Sequence, residues 1–319
     1  MLPLFSSPLP TETLSLSKES AMAFLGAASG QTSHHLPNVS SNLFLSMDCS
    51  KADRGGEDAF FVSSYNGGVL AIADGVSGWA EQNVNPALFS QELMSNASGL
   101  VMDEEVNYDP QILMRKAHAA TSSIGSATVY LFFYDLSDLN RIIAMLEKNG
   151  TLKIANVGDC GLRVLRKGQV IFATPPQEHY FDCPYQLSSE IIGQTYLDAT
   201  VCTIELMEGD TIVMGSDGLF DNVFDHEIVS TTSRFKDAVE AAKALADLAR
   251  DHSMDVSFDS PYSIEARSRG FDVPLWKKIL GRKLTGGKPD DITVIVGQVI
   301  SSLNDKKTEE AMLKQKDLS

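Results

Sequence analysis

Four acidic motifs stand at the ends of short apolar runs, and their residue types suit metal-assisted phosphoryl chemistry. Gly55-Gly56-Glu57-Asp58 precedes residues 59–62, Asp74-Gly75 follows 69–73, Asp217-Gly218 follows 211–215, and Asp290-Asp291 precedes 292–296. Alone, each is compatible with a turn or a solvent-facing pair. Together they imply more, because several carboxylates gathered at one end of a sheet repel one another unless cations hold them. Mg²⁺ and Mn²⁺ take oxygen ligands, and Mg²⁺ keeps several waters, so few direct carboxylates suffice. Two such ions about 3.5–4 Å apart activate a water and clamp the phosphoryl oxygens during in-line attack. The glycine after Asp74 lets its carbonyl approach a cation closely. No nucleophilic side chain is then needed, in keeping with a sequence that has no Walker A lysine loop, no G-x-S-x-G elbow and no cysteine in a phosphate loop.

The elements that must position these acids are mostly short segments rich in Val, Ile and Phe between about residues 43 and 297, which predicts a strand-rich domain with interpolated helices. Asn149-Gly150 predicts a hairpin joining residues 141–147 to 151–157, since Asn-Gly tolerates the positive φ of a type I′ turn. Lys167-Gly168 predicts a second between 162–165 and 170–173, continuing the first as a meander. Helices are predicted after Pro86, with Phe89, Leu93, Ala97 and Leu100 on one face, after the cap and first-turn pair Asp109-Pro110, and over about 236–250. A last strand over 292–296 closes an α+β layered sandwich. Residues 252–288 have weak periodicity and are expected to be an excursion over the domain, such as a substrate-facing flap.

Composition bounds the rest. With 319 residues, 43% of them hydrophobic, the chain can bury a large core in one domain or two. Asp and Glu total 42 against 26 Lys and Arg, a formal charge of −16 that would repel a nucleic-acid backbone, so no nucleic-acid partner is expected. Cys49, Cys160, Cys183 and Cys202 form no C-x-x-C pair, which argues against a zinc site or a disulfide framework. No apolar run approaches the ~18–20 residues needed to cross a bilayer. Residues 1–41 are rich in serine and poor in periodicity, as in a transit peptide, whereas Glu12, Glu19 and the absence of arginine suit a merely disordered segment. The expected organisation is 1–41 disordered, 42–300 a single catalytic domain and 301–319 a polar tail.

The motifs taken in order are more specific. Gly56-Glu57-Asp58-Ala59, Ala73-Asp74-Gly75-Val76, Gly125-Ser126-Ala127-Thr128, Ala155-Asn156-Val157-Gly158-Asp159, Gly215-Ser216-Asp217-Gly218-Leu219-Phe220-Asp221 and Lys288-Pro289-Asp290-Asp291-Ile292-Thr293-Val294 resemble those of the type 2C, or PPM, metal-dependent serine/threonine protein phosphatases. The resemblance implies a four-layer α-β-β-α sandwich, two central antiparallel sheets flanked by helices, with two Mg²⁺ or Mn²⁺ ions at one end and a weaker third. It implies that Asp74 bridges the two metals, that Gly75 supplies a carbonyl, that Asp217 and Asp290 bind one metal, and that Glu57 and Asp58 act near the other. Asp58, Asp74 and Asp217 are the expected catalytic set. Asp159 and Asp221 match positions linked to the third metal, with a turn or cap role as the alternative.

Two departures bear on mechanism. The place two residues after the bridging aspartate, where many members carry a histidine, is Val76. The place of the usual phosphate-binding arginine is Asp53, which leaves the neighbouring Arg54 as the candidate bidentate phosphate contact. His118 and His179 are tempting acids that nothing in the sequence places at the metals, and Cys160 reads first as a small buried residue.

Val76, the segment Gly78-Trp79-Ala80-Glu81 and residues 177–187 resemble an organellar subgroup whose plastid members dephosphorylate threonines of photosystem II core proteins. That finer resemblance implies a chloroplast stromal enzyme, with a mitochondrial or cytosolic relative as its rival; a monomer acting on phosphoprotein substrates is expected. A pseudophosphatase that only binds partners is the reading from another class, and the retained Asp74, Asp217 and Asp290 speak against it.

Overall fold

The computed structural model describes residues 22–29, 56–63, 68–135, 150–190 and 193–301. In chain order the described strands are β1 (Met22–Ser29), β2 (Ala59–Ser63), β3 (Val69–Gly75), β4 (Ser126–Asp135), β5 (Gly150–Val157), β6 (Gly161–Arg166), β7 (Gln169–Ala173), the short β8 (Glu178–Tyr180), β9 (Cys183–Pro184) and β10 (Leu187–Ser188), then β11 (Thr200–Leu206), β12 (Thr211–Gly215) and β13 (Val294–Ser301). The helices are α1 (Ala87–Leu100), α2 (Pro110–Ala120), α3 (Asp217–Phe220), α4 (Asp225–Thr232), α5 (Ala238–Met254), α6 (Pro261–Ser268) and α7 (Leu275–Ile279).

Two antiparallel sheets result, one in the order β1-β13-β12-β6-β7 and one in the order β11-β5-β4-β3-β2, with β10 added beside β4. Strand β3 shows why they stack. It is apolar on both faces, so neither face can be left to water. Its odd positions Val69, Ala71 and Ala73 meet Phe89, Leu93 and Ala97 of α1 and Leu113 and Met114 of α2. Its even positions Leu70 and Ile72 join Tyr130, Phe132 and Ile154 of the same sheet against Leu162, Val164, Ile212, Met214 and Ile295 of the other. The outer face of that second sheet, through Val213, Val294 and Val296, is covered by Ala241, Ala242, Leu245 and Ala249 of α5. The four-layer α-β-β-α sandwich is therefore present as expected. Each fully buried Leu, Ile or Phe in these layers contributes about 1.5–3 kcal/mol.

The helix signals hold. Asp109 accepts hydrogen bonds from the amides of Gln111 and Ile112 at 2.8 and 3.1 Å, and Pro110 opens α2. Such a cap stabilises by about 1 kcal/mol. Asp237 caps α5 in the same way, so that helix starts two residues later than predicted and runs four further. Lys167 (φ 51°) and Gly168 (φ 75°) make the predicted type I′ turn between β6 and β7.

Residues 141–147 of the first predicted hairpin lie outside the described residues, and β5 pairs with β4 and with β11. Two strand expectations differ from the structure. The meander fails, because β5 and β6 belong to different sheets and Gly158 (φ 108°) turns the chain from one to the other. The closing strand begins at Val294 rather than residue 292. Within the stretch expected to be disordered, Met22–Ser29 pairs along β13 as β1, so the sandwich begins well before residue 42. The rest of residues 1–41, and 302–319 of the polar tail, lie outside the described residues. The expected excursion 252–288 carries α6 and α7 and is tied to the domain by Tyr262 N donating to Asp221 O (3.1 Å) and Lys288 N to Asn222 Oδ1 (2.8 Å).

Candidate active site

Register brings the acidic motifs to one end of the sandwich. Ala59 pairs with Ala73, so Asp58 enters β2 beside the point where Asp74 leaves β3. Gly215 pairs with both Gly161 and Val294, which sets Asp217, Asp159 and Asp290 around the neighbouring strand ends. Two-residue alternation puts Asp74 on the same face as Leu70 and Ile72, so the inter-sheet core ends in a carboxylate.

The Asp-Gly pairs have a packing reason. A Cβ on Gly75 would lie 2.7 Å from Glu57 O and 2.8 Å from Pro86 O, and one on Gly218 would lie 2.0 Å from Asp291 O. Only glycine lets the segment bearing Asp58 approach Asp74, and the segment bearing Asp290 approach Asp217. Hydrogen bonds stitch the same segments together: Glu57 N donates to Asp291 Oδ2 (2.6 Å), Gly75 N to Glu57 O (3.1 Å), and Thr293 Oγ1 to Asp58 Oδ2 (2.7 Å).

Charge is the dominant property of the site. Burial, then the carboxylates of Asp291 and Asp290, push Asp58 up to about 8, against the lowering hydrogen bond from Thr293. Burial, then Asp58, Asp217, Asp290 and Asp159, hold Asp74 well above the usual carboxylate range. Asp159 is likewise raised by burial and by Asp217 and Asp221. Burial raises Asp221 to about 7, with Lys288 pulling down and Asp217 pushing up.

Among the described residues, one cation answers these acids. Lys288 Nζ lies 2.7 Å from Asp217 Oδ2, 2.9 Å from Asp221 Oδ2, 3.1 Å from Asp182 Oδ1 and 4.0 Å from Asp290 Oδ2. Burial alone would lower its pKa, but Asp217, Asp221 and Asp290 outweigh burial and raise it. Asp58 Oδ1, Asp159 Oδ1 and Asp217 Oδ1 remain buried without a hydrogen-bond partner. The arrangement suits a divalent ion: the donors are hard oxygens, three of them are sealed and unsatisfied, and like charges raise one another. Among the described residues no three acidic, histidine or cysteine side chains are arranged as a ready-made ligand shell. The carboxylates converge instead on the Lys288 ammonium.

A cleft of about 230 Å³ opens here, with Asp159, Asp217, Asp221 and Lys288 at its floor and Phe181 and Tyr262 on its wall. Tyr262 donates to Asp182 Oδ2 at 3.2 Å, and its ring lies 5.2 Å from Lys288 Nζ.

Of the predicted residues, Asp58, Asp74, Asp217, Asp290, Asp159 and Asp221 come together. Gly75 ends β3 directly after Asp74, and Glu57 contributes its backbone while its carboxylate accepts from Ser77. Arg54 lies outside the described residues. The histidines are engaged elsewhere: His118 Nε2 with Ser188 O (2.8 Å), His179 with Gln194 (3.0 Å), and His252 Nδ1 with Asn222 O (2.9 Å). Cys160 is buried beside Thr128 Oγ1, and burial pushes its thiol well up, away from reactive thiolate character. Sequence reasoning passed over Lys288, Asp182 and Tyr262. The signal for Lys288 was its place two residues ahead of an aspartate pair.

No protein-family model matches the chain. Known proteins do. A probable protein phosphatase 2C of rice is 71% identical over 249 residues, spanning 78% of this chain and 72% of the rice protein. An Arabidopsis thaliana probable protein phosphatase 2C is 65% identical over 252 residues, 79% of this chain and 80% of that protein. The chain belongs to the protein phosphatase 2C family. Its reaction is accordingly removal of phosphate from phosphoserine or phosphothreonine in proteins. The solved structure of the photosystem II phosphatase PBCP matches this phosphatase at 62% identity with a TM-score of 0.75, covering 86% of this chain and 98% of that one. The catalytic domain of PstP, solved with 2 manganese ions, shares the fold at 17% identity and a TM-score of 0.52, over 88% of this phosphatase and 99% of that domain.

Proposed function

We propose that this phosphatase works with Mg²⁺ or Mn²⁺ on phosphothreonines of photosystem II core proteins in the chloroplast stroma, with Asp58, Asp74, Asp217 and Asp290 holding the catalytic metals. The observation that carries the metal reading is the surplus of buried, mutually repelling carboxylates gathered around one ammonium at the cleft floor. Bound divalent ions would supply an activated water and charge stabilisation for the phosphoryl group transferred to it.

The chain's own groups do the rest. Asp74, fixed at the end of β3, and Asp217, at the first turn of α3, aim their carboxylates at the same volume from opposite sheets. Thr293 holds Asp58 by its Oδ2 and leaves Oδ1 buried without a hydrogen-bond partner. Glu57 and Gly75 act through the backbone contact that keeps β2 and β3 in register, and Asp159 and Asp221 would hold a weaker third ion. Phe181 and Tyr262 give the cleft an apolar wall against which a peptide can lie. Arg54 is the candidate phosphate contact.

The likeness to the photosystem II phosphatase PBCP supports the substrate class and the plastid location. For an imported protein, β1 shifts the processing site: cleavage falls before Met22, because loss of Met22–Ser29 would strip β13 of one of its two strand partners and leave it an open edge.

The test is phosphate release from phosphothreonine peptides of photosystem II core proteins and from unrelated phosphopeptides, with Mn²⁺, with Mg²⁺ and with chelator. Preferential, chelator-sensitive release is the expected result. Chelator-insensitive turnover overturns the metal reading, and equal turnover of all peptides overturns the substrate reading. Import into isolated chloroplasts, with the mature N-terminus at or before Met22, checks the location.

A further inference from the structure

Away from the carboxylates, residues 271–283 expose an apolar face set in positive charge. Leu275 is 74% exposed, Trp276 59%, Ile279 78% and Leu280 69%. Their spacing of one, four and five residues places them on one side of α7 and its final turn. Isolated apolar residues are ordinary on a surface, but a contiguous set marks a contact site. Lys277, Lys278, Arg282 and Lys283 surround this face and Asp272 is the only acid in the stretch, so it carries a net charge of +3 in a chain of −16.

The projection is built rather than loose. Gly281 (φ 72°) closes α7 with Arg282 N donating to Lys277 O (3.0 Å) and Gly281 N to Lys278 O (2.9 Å), the paired bonds of a Schellman cap. Asp272 ties its base, accepting from Leu284 N (2.8 Å) and Val273 N (2.7 Å) and pairing with Lys278 at 3.0 Å. Lys277 Nζ sits 5.4 Å from the centre of the Trp276 ring. A fixed apolar face with an interfacial tryptophan and flanking cations is the composition that settles at the headgroup boundary of a bilayer. A protein partner is less well matched, because a stable interface takes about 800 Å² per side, far more than three side chains of a five-residue helix and the leucine that follows it present.

We infer that α7 and its final turn dock the protein peripherally on a bilayer surface bearing anionic headgroups, with Leu275, Trp276, Ile279 and Leu280 entering the boundary and Lys277 and Arg282 facing the lipid charge, while Lys278 and Lys283 pair with Asp272 and Asp259. Phe271 stacks on Phe181 (5.2 Å), and Phe181 packs on Tyr262 (5.3 Å) of the cleft wall. Docking therefore brings the cleft rim close to the membrane; that consequence alone rests on the proposed substrate.

Co-sedimentation of the full chain with phosphatidylcholine vesicles, with and without phosphatidylglycerol, tests the inference. The expected result is binding to the anionic vesicles alone, weakened by salt, with a blue shift of tryptophan emission that Trp276→Phe removes. The exposed triple change Leu275→Ser, Ile279→Ser, Leu280→Ser should lower partitioning about tenfold. Lys277→Glu with Arg282→Glu should weaken it at least about fivefold per charge. Hydrolysis of a soluble phosphopeptide stays unchanged in both variants, which separates docking from catalysis. Three results would overturn the inference: wild-type chain left in the supernatant with anionic vesicles, a triple variant that sediments like wild type, and a triple variant that loses only self-association by light scattering.

Discussion

Strands β6 and β12 pair along their length, and their two ends treat buried charge in opposite ways. At one end Arg166 meets Asp210 as a fork, Nε to Oδ1 at 2.8 Å and Nη2 to Oδ2 at 2.6 Å, and Met207 N completes the carboxylate at 2.8 Å. One cation answers one anion that is 1% exposed, and each carboxylate oxygen is bonded. At the other end Lys288 faces Asp217, Asp221, Asp182 and Asp290, with Asp58, Asp74 and Asp159 close by and three sealed oxygens unpartnered. Balanced charge fixes a strand end. Unbalanced buried charge is costly unless a ligand completes it, which is why the second end is the one proposed to hold the metals.

The largest effect separates the ends by activity. Asp217→Asn keeps the shape of the residue and removes one anionic oxygen. Turnover of a phosphothreonine peptide should fall by about 4 kcal/mol of barrier, roughly a thousandfold, while the chelated protein melts no lower than wild type because one repelling charge has gone. Steady-state kinetics beside a melting curve reads both outcomes; a normal kcat would remove Asp217 from the metal set.

Next comes the balanced end. Arg166→Met leaves Asp210 buried and unpaired, at a cost of about 3 kcal/mol, which lowers the melting midpoint by roughly 10 °C. Activity per folded molecule should not change. Loss of kcat without loss of stability would abolish the distinction between the two ends.

The third prediction concerns pH. Asp58 at about 8 and Asp221 at about 7 lie above the usual value of 3.8, so in chelator the folded chain holds protons that the unfolded chain has released. The stability these two acids contribute is then fully present below about pH 4 and lost as pH rises toward 8, with a midpoint roughly 5 °C lower at pH 8 than at pH 5. Lys288→Met should steepen that fall by removing the counter-ion, and saturating Mn²⁺ should flatten it in both proteins. A chelated protein whose midpoint is the same from pH 5 to pH 8 would show that the acids at this end do not repel as their surroundings imply.

How much of this was legible in the sequence depends on range. The carboxylates were, because Asp74-Gly75 and Asp217-Gly218 are local, ordered motifs. The glycines matter for a reason the sequence cannot state: their missing Cβ atoms make room for Glu57, Pro86 and Asp291, residues far away in the chain for the last pairing. Asn149-Gly150 marked the start of β5 correctly but carried no information about which strand lies beside it, and β4 and β11 took both edges. The step from β5 to β6 looked like a meander because hydrophobic alternation is the same on either side of a change of sheet. Lys288 escaped notice since a lysine beside two aspartates reads as ordinary surface charge until Asp182 and Asp221 are folded against it. Residues 252–288 read as formless because α6 and α7 are short and are held by Asp272, Asp259 and Asn222 rather than by a continuous apolar face.

The smallest effect is expected where the sequence offered its most tempting acid. His118 Nε2 is 2.8 Å from Ser188 O, and its ring meets Phe89 edge-on at 6.0 Å, so it joins α2 to β10 and packs against α1. A residue so engaged supports the layer behind Ser126 and Gln186 and does not transfer a proton at the cleft floor. His118→Gln should therefore cost about 1 kcal/mol of stability and leave both kcat and the acidic limb of its pH profile in place. Disappearance of that limb in the variant would move the proton donor to His118, and with it part of the catalytic machinery away from the unbalanced end of β6 and β12.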